Sequence, residues 1–208
     1  MAARRTQEER REGTIRKLLD AATEALIELG HAGASVQKIC DRAGVSQGAL
    51  FRHFASREEL MVAVGEDVGQ KALARYRREF ASKRARQGEE PLLLALRLVR
   101  ARCRSRLNQA WYELAMAART SPSLRRGLRV VTERYYQDIG RLAVQLLPGL
   151  AAALGGRFPV LVDTIVSVFD GEALHGFVLP QADMDEERLK LLVQIARLAA
   201  AGSGEGER

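Results

Sequence analysis

Gln47, Gly48 and Ala49 follow one another directly after Ser46. Their side chains are an amide that both donates and accepts, a bare hydrogen and a methyl group. That set suits the edges of base pairs: a Gln amide forms paired hydrogen bonds with adenine, and an Ala methyl packs on the methyl of thymine. Gly48 costs about 1 kcal/mol of helix propensity relative to Ala. Close approach to a DNA surface would account for its presence.

Such a surface works only on the first turn of a short, exposed helix. The stretch SVQKICDRAGVSQGALFRHF, residues 35–54, supplies one. Ser35 stands at an N-cap, and Val36, Ile39, Cys40 and Ala43 follow at helical spacing. Gly44 provides the left-handed residue for a sharp turn. Ser46 caps the second helix, and Val45 and Leu50 have the spacing of a hydrophobic staple. Leu50 and Phe54 face back toward the other helices. The pattern spells a helix-turn-helix, whose second helix lies in the DNA major groove. An ordinary helical hairpin with small residues at a packing face is the alternative.

Two further helices frame the motif. Ile15, Leu18, Leu19, Ala22, Leu26 and Leu29 form one stripe, predicting a helix from about Thr14 to Leu29 that ends at Gly30 and Gly33. Downstream, Ser56 and Glu59 have capping-box spacing, and Leu60, Met61 and Val64 open the next apolar face. Arg57 then sits at a helix N-terminus beside the second helix of the motif, placed to reach a phosphate.

The run AGVSQGALFRHFASREEL, residues 43–60, resembles the TetR family of bacterial transcriptional regulators. With the preceding helix the resemblance covers about residues 14–65; WYELAMAARTSPSLRRGL (111–128) and VFDGEALHGFVL (168–179) resemble the family's regulatory domain more loosely. It implies an all-α fold with a three-helix DNA-binding domain over residues 1–65 and a larger helical effector-binding and dimerisation domain over 66–208. It implies phosphate contacts from Ser35, Gln37, Phe51, His53 and Arg57, and base contacts from Gln47 and Ala49. Val36, Ser46, Gly48 and Arg52 complete the candidate DNA-binding set. Phe51 stands where the family usually has Tyr, which removes a hydrogen bond worth about 1 kcal/mol net. Arg57 replaces the usual Lys, keeping the charge and adding a forked donor.

Charge alone is a poor guide here. The net charge is +7, yet residues 1–65 hold 10 Lys/Arg against 9 Asp/Glu, while residues 71–106 hold 12 against 3. The DNA-binding expectation therefore rests on the motif. A sequence-blind architectural DNA binder is the runner-up, disfavoured because such binding leans on cationic charge. An N-terminal arm with Arg4, Arg5, Arg10 and Arg11 could add phosphate or minor-groove contacts. No run approaches eighteen uninterrupted apolar residues, and MAARRTQEERREG has charges with no apolar segment behind them. The expectation is a cytoplasmic protein without membrane contact. Cys40 and Cys103 fall on apolar helix faces and are expected to be buried thiols. His31, His53 and His175 lie on separate elements, and no HExxH, CxxC, GxSxG or phosphate-cradling loop occurs. No cofactor, metal or catalytic site is expected; His175 with Asp170 or Glu172 is the one imaginable acid–base pair.

From about residue 66 the pattern is of long helices. Ser56 to about Phe80 reads as one helix, 81–90 as a polar linker, Pro91 as a helix start, 122–147 as another helix and 148–156 as a connection. Leu92, Leu96, Val99, Cys103 and Leu107 share one face. Arg97, Arg100 and Arg104 share another, either solvated or attractive to an anion. The last helices are expected over 158–179 and 185–201, before a flexible GSGEGER tail. The family resemblance implies that this final pair forms a homodimer interface, with Leu161, Ile165, Val168, Leu189, Leu192, Ile195 and Ala199 as candidates. It also implies a pocket for an unknown small-molecule effector, with Cys103, Trp111, Tyr112, Met116, Phe169, His175 and Phe177 as candidates. The implied function is a repressor that binds a palindromic double-stranded DNA operator as a dimer and is released by its effector.

Overall fold

The computed structural model describes residues 7–88, 90–180 and 182–203. Among the described residues the secondary structure is wholly helical: α1 (Gln7–Gly33), α2 (Val36–Ala43), α3 (Gln47–Phe51), α4 (Arg57–Gln87), α5 (Pro91–Cys103), α6 (Arg106–Ala118), α7 (Pro122–Leu146), α8 (Pro148–Leu154), α9 (Phe158–Gly176) and α10 (Asp185–Ser203). Arg4, Arg5 and most of the GSGEGER tail lie outside the described residues.

Several boundaries differ from the expected ones, each for a local reason. α1 begins at Gln7, with Glu8 and Glu9 in its first turn, where carboxylates favour the helix dipole. Arg10 and Arg11 are therefore exposed on a helix. α1 breaks at Gly30, whose φ of 68° and ψ of 171° no helix accepts, and resumes for three residues. The supposed linker over 81–90 is helical as far as Gln87, because Ala, Lys, Arg and Gln are strong helix formers. The supposed connection over 148–156 holds α8, which has Pro148 in its first turn and Leu154 buried. Leu107 does not continue the α5 face, since the chain turns after Cys103 and α6 starts at Arg106.

The chain forms two compact units. The first runs to Lys71 and resumes over Arg106–Arg134. Leu18, Ala22 and Leu26 of α1, Ile39 of α2, Leu50 of α3, Leu60, Met61 and Val64 of α4, and Ala110 and Leu114 of α6 are fully buried in one cluster. Helices approach closely where side chains are small: a Cβ at Gly65 would stand 2.9 Å from a Leu128 methyl, and one at Gly127 would overlap Val62.

The second unit takes Ala72–Ser105 and the chain from Tyr135 onward. In it α5 packs on α9 and α10, and α8 packs on α10 and α9. Pro148–Gly176 contains an 18-residue stretch with a mean hydropathy of 1.5 and has the length to cross a bilayer. It is interrupted at Gly155 (φ 51°), and Phe158, Ile165, Val166, Phe169 and Ala173 turn into the unit's own core. Core packing accounts for that part of its apolar content.

Candidate nucleic-acid interface and effector cavity

The turn geometry of the motif is built by three small residues. The Ser35 hydroxyl accepts from the Lys38 amide at 3.3 Å and caps α2. Gly44 adopts φ 65°, ψ 38° and closes α2 through its amide to the Asp41 and Cys40 carbonyls. The Ser46 hydroxyl accepts from the Ala49 amide at 3.1 Å and starts α3. Val45 packs against the core beside buried Leu50, completing the staple. Below the motif, the Glu59 amide donates to the Ser56 hydroxyl at 3.1 Å, and the Ala55 amide donates to the Glu59 carboxylate at 2.6 Å.

These caps leave the candidate reading surface outside. Ser35, Gln37, Ser46, Gln47, Gly48, Phe51 and Arg52 are exposed, and Val36, Ala49 and His53 are half-buried at its edge. Phe51 is 48% exposed, which is unusual for an aromatic ring with a core beside it. The Gln47 and Gln37 amides bond to each other across α3 and α2, and Gln37 also donates to Asp41 at 2.7 Å. Gly48 has no internal reason to be glycine: a Cβ there would meet only the Ser46 hydroxyl, at 3.9 Å.

Arg57 does not project from the surface as expected. Its Nε donates to the Ala34 carbonyl at 3.1 Å, one terminal nitrogen donates to the His31 carbonyl, and the other lies 3.2 Å from His31 Nε2. The guanidinium thus ties the start of α4 to the end of α1. The His31 amide in turn donates to the Glu113 carboxylate of α6 at 2.9 Å. Burial, and then the Arg57 charge, hold the His31 imidazole below its ordinary pKa of 6.5. Sequence reasoning had no signal for Glu113.

In the second unit the structure opens a cavity of about 80 Å³. Its wall is hydrocarbon from α4, α5, α7, α8 and α9, including Leu96, Leu142 and Val162, interrupted by Tyr76, Tyr135 and Arg102. None of the seven expected pocket residues lines it. Trp111, Tyr112 and Met116 belong to the first unit; Trp111 packs on its core and Met116 is exposed. Phe169 and Cys103 are buried in solid packing, and His175 and Phe177 are exposed. Aromatic size marked core positions, whereas the cavity is walled mostly by aliphatic residues.

Three of the seven expected dimer residues are likewise internal. Leu161 and Ile165 line the cavity, and Leu189 is 2% exposed. Leu192 and Ala199 are half-buried. Val168 and Ile195 are exposed, together with Val160 and Leu174 on α9 and Leu191 and Leu198 on α10. The outward apolar face therefore keeps Val168 and Ile195 of the expected set and adds Val160, Leu174, Leu191 and Leu198.

The arginine face is paired with carboxylates throughout: Arg97 and Arg104 remain exposed to solvent, whereas Arg100 is buried. Arg100 donates to Glu172 at 2.7 Å and also pairs with Asp185. Arg104 forks onto both Asp185 oxygens at 2.7 and 2.8 Å and reaches Glu172. Arg97 pairs with Glu186 at 2.6 Å. The Arg100 and Glu172 side chains are only 10% and 6% exposed. His175 is exposed, and among the described residues no cluster of His, Cys, Asp and Glu could hold a metal.

Residues 18–64 match the family model for bacterial regulatory proteins of the tetR family. Uncharacterized HTH-type transcriptional regulators of Mycobacterium bovis and Mycobacterium tuberculosis are 38% identical over 191 residues, which is 92% of this chain and 96% of theirs. The Escherichia coli regulator UidR is 39% identical over 64 residues, 31% of this chain and 33% of its own. Among solved structures, a transcriptional regulator from Rhodococcus sp. Rha1 is similar at a TM-score of 0.63 with 26% identity, over 88% of this chain and 92% of its own. The multidrug binding protein EbrR, complexed with ethidium, shares the fold at a TM-score of 0.64 with 21% identity, over 87% and 97%.

Proposed function

Because this chain belongs to the TetR family of bacterial transcriptional regulators, we propose that it is a cytoplasmic repressor released from a palindromic operator by a small-molecule effector. One observation carries the reading: the first turn of α3 presents Gln47 and Gly48 outward with Ala49 half-buried beside them, at a glycine whose neighbours leave room for a side chain. A glycine kept against its helix propensity, with internal space to spare, is explained by an external surface that must come close. Gln47 and Ala49 face bases; Ser35, Val36, Gln37, Ser46, Phe51, Arg52 and His53 border the backbone. Arg57 acts from beneath, fixing α1 against α4. Residues 1–65 form the DNA-binding part and 66–208 the effector and dimerisation part.

One short helix touches too few base pairs for selectivity, so two copies must read two half-sites about one DNA turn apart. The exposed apolar faces of α9 and α10 support a homodimer through those helices. The cavity supports an effector site, and the effector acts by binding the DNA-free conformation more tightly than the DNA-bound one. The EbrR complexes show that this fold admits small molecules in a distant relative. No catalytic role is proposed.

A mobility-shift titration on the DNA upstream of the chain's own gene tests the reading. A selective band whose affinity falls steeply with salt is expected. Equal affinity for scrambled DNA would instead make the protein an architectural binder. Gly48→Ala separates the two roles of that glycine: it should raise stability by up to about 1 kcal/mol while weakening operator binding.

A further inference from the structure

We propose that the cavity of the second unit takes an aliphatic monocarboxylate, held by the Arg102 guanidinium and the Tyr135 hydroxyl with its hydrocarbon tail along the α5–α9 wall. The inference deepens the effector reading above and rests on it for its regulatory meaning, but not for the binding itself. Its basis is the makeup of the wall. Of the residues that line the cavity, Arg102 is the one charged group, and it is a cation. Its side chain is 12% exposed, so its charge acts in a largely desolvated setting, with Asp170 paired to it at 3.7 Å. No carboxylate lines the cavity itself, and Asp170 is engaged with Arg102.

The polar groups form one cluster rather than a scatter. Arg102 Nη1 donates to the Tyr135 hydroxyl at 3.0 Å, and its Cζ lies 5.9 Å from the Tyr135 ring centre. By accepting from the guanidinium, the Tyr135 oxygen is turned to donate its own proton. Burial raises the Tyr135 pKa, which keeps that proton in place. A planar fork beside a phenolic donor matches the two oxygens of a carboxylate. Arg102 also meets the Cys103 sulfur at 3.0 Å and Asp170 at 3.7 Å, so the ligand joins an existing network. The second phenol, Tyr76, donates to the Ala95 carbonyl at 3.2 Å, which leaves the rest of the wall to hydrocarbon. One head and one tail follow: a single anionic group on a short apolar body.

Calorimetric titration of the full-length protein, without DNA, with butanoate, 1-butanol and butylammonium tests the assignment, since four carbons suit a cavity of about 80 Å³ and the three probes differ mainly in charge. Butanoate should bind at least about tenfold more tightly than butanol, the advantage of charge-assisted hydrogen bonds over neutral ones. Butylammonium should bind more weakly than either. Arg102→Met and Tyr135→Phe should erase most of the butanoate advantage while leaving butanol binding in place, which also shows that the variants are folded. Equal affinity for butanoate and butanol, tighter binding of butylammonium, or no binding of butanoate would overturn the proposal. Operator release is then read separately. If butanoate binds with the expected Arg102 dependence yet leaves operator affinity unchanged, the effector reading fails and the ligand assignment stands.

Discussion

The two units use their interiors in opposite ways. In the first, apolar side chains from α1, α2, α3, α4 and α6 fill the interior at close contact, and its polar candidates stay outside. In the second, a larger stock of leucine and valine still leaves a cavity, while arginine and glutamate are drawn inside. The difference suits the two tasks proposed above. A reading head must hold α3 to within fractions of an ångström of its partner, and close packing does that. A ligand-binding unit must leave unfilled space, so its alignment has to come from something other than close packing. The Arg100–Glu172–Arg104–Asp185 network supplies it, tying α5 to α9 and to the start of α10 by directional contacts beside the cavity.

The contrast is broken most directly at Glu172. Glu172→Gln leaves the guanidinium groups of Arg100, Arg104 and Arg188 without their shared carboxylate. Breaking a buried pair from one side should cost about 3–5 kcal/mol of unfolding free energy, read in urea melts. A loss within the scatter of surface substitutions would show that the second unit does not depend on these charges. Replacing Glu172 together with Arg100 by apolar residues should restore part of the loss, because the stranded charge is then removed.

In the first unit the matching test is Arg57, an arginine used on backbone carbonyls. Arg57→Ala should cost about 1–3 kcal/mol of stability, since the His31 and Ala34 carbonyls lose a charged donor. Arg57→Lys should recover little of it, because an ammonium does not reproduce the fork. A phosphate contact behaves differently: stability would hold, the salt dependence of DNA binding would drop by about one counterion, and Lys would rescue it. The two outcomes decide whether Arg57 touches DNA or only sets α1 against α4.

The legibility of each region in the sequence followed from the range of its interactions. Ser35, Gly44, Ser46 and the Ser56–Glu59 box act on residues three or four positions away, so residue type and spacing identified them. The cavity draws its wall from five helices, and no local pattern marks an unfilled space. Helical periodicity selects buried faces, which is why Phe169 and Trp111 looked like pocket residues; Phe169 is fully buried and Trp111 packs half-buried on the first unit's core, both away from this cavity. The arginine face was visible as a face, but its partners lie 72 to 89 residues away, and that pairing decides its role. Glu113, 82 residues from the amide it receives, is hidden for the same reason.

Gln47 sharpens the comparison without touching stability. It is exposed and belongs to no core cluster, so Gln47→Ala should shift unfolding by less than about 0.5 kcal/mol. Its effect belongs to recognition: about 1–3 kcal/mol of discrimination at one base pair of each half-site should disappear. Gln37 bears on the same outcome, because its bond to Gln47 fixes the direction of that amide before DNA arrives. Gln37→Ala should therefore relax base preference at the position that Gln47 reads, measured by selection from a randomised operator. Uniform weakening across all sequences would assign both residues to the backbone instead.

The smallest effect is a matter of acid. His31 is held below its ordinary pKa of 6.5, first by burial and then by the Arg57 guanidinium, with Glu113 and Glu58 pulling the other way. A depressed histidine is neutral in the fold and takes up its proton more readily once unfolded. Between the two pKa values the unfolded chain binds more protons, so stability rises with pH. The contribution is complete above 6.5 and disappears as the pH falls through the folded value. Lowering the pH from about 7.5 to about 5 should then lower the amide protection factors at the end of α1, measured against the intrinsic exchange rate at each pH. His31→Gln should flatten that response, because the main-chain bonds to Glu113 and Arg57 are kept and only the titrating ring is lost. An unchanged response in the variant would trace the acid sensitivity to the carboxylates around it, and the Arg57 fork would then hold α1 with no contribution from the imidazole.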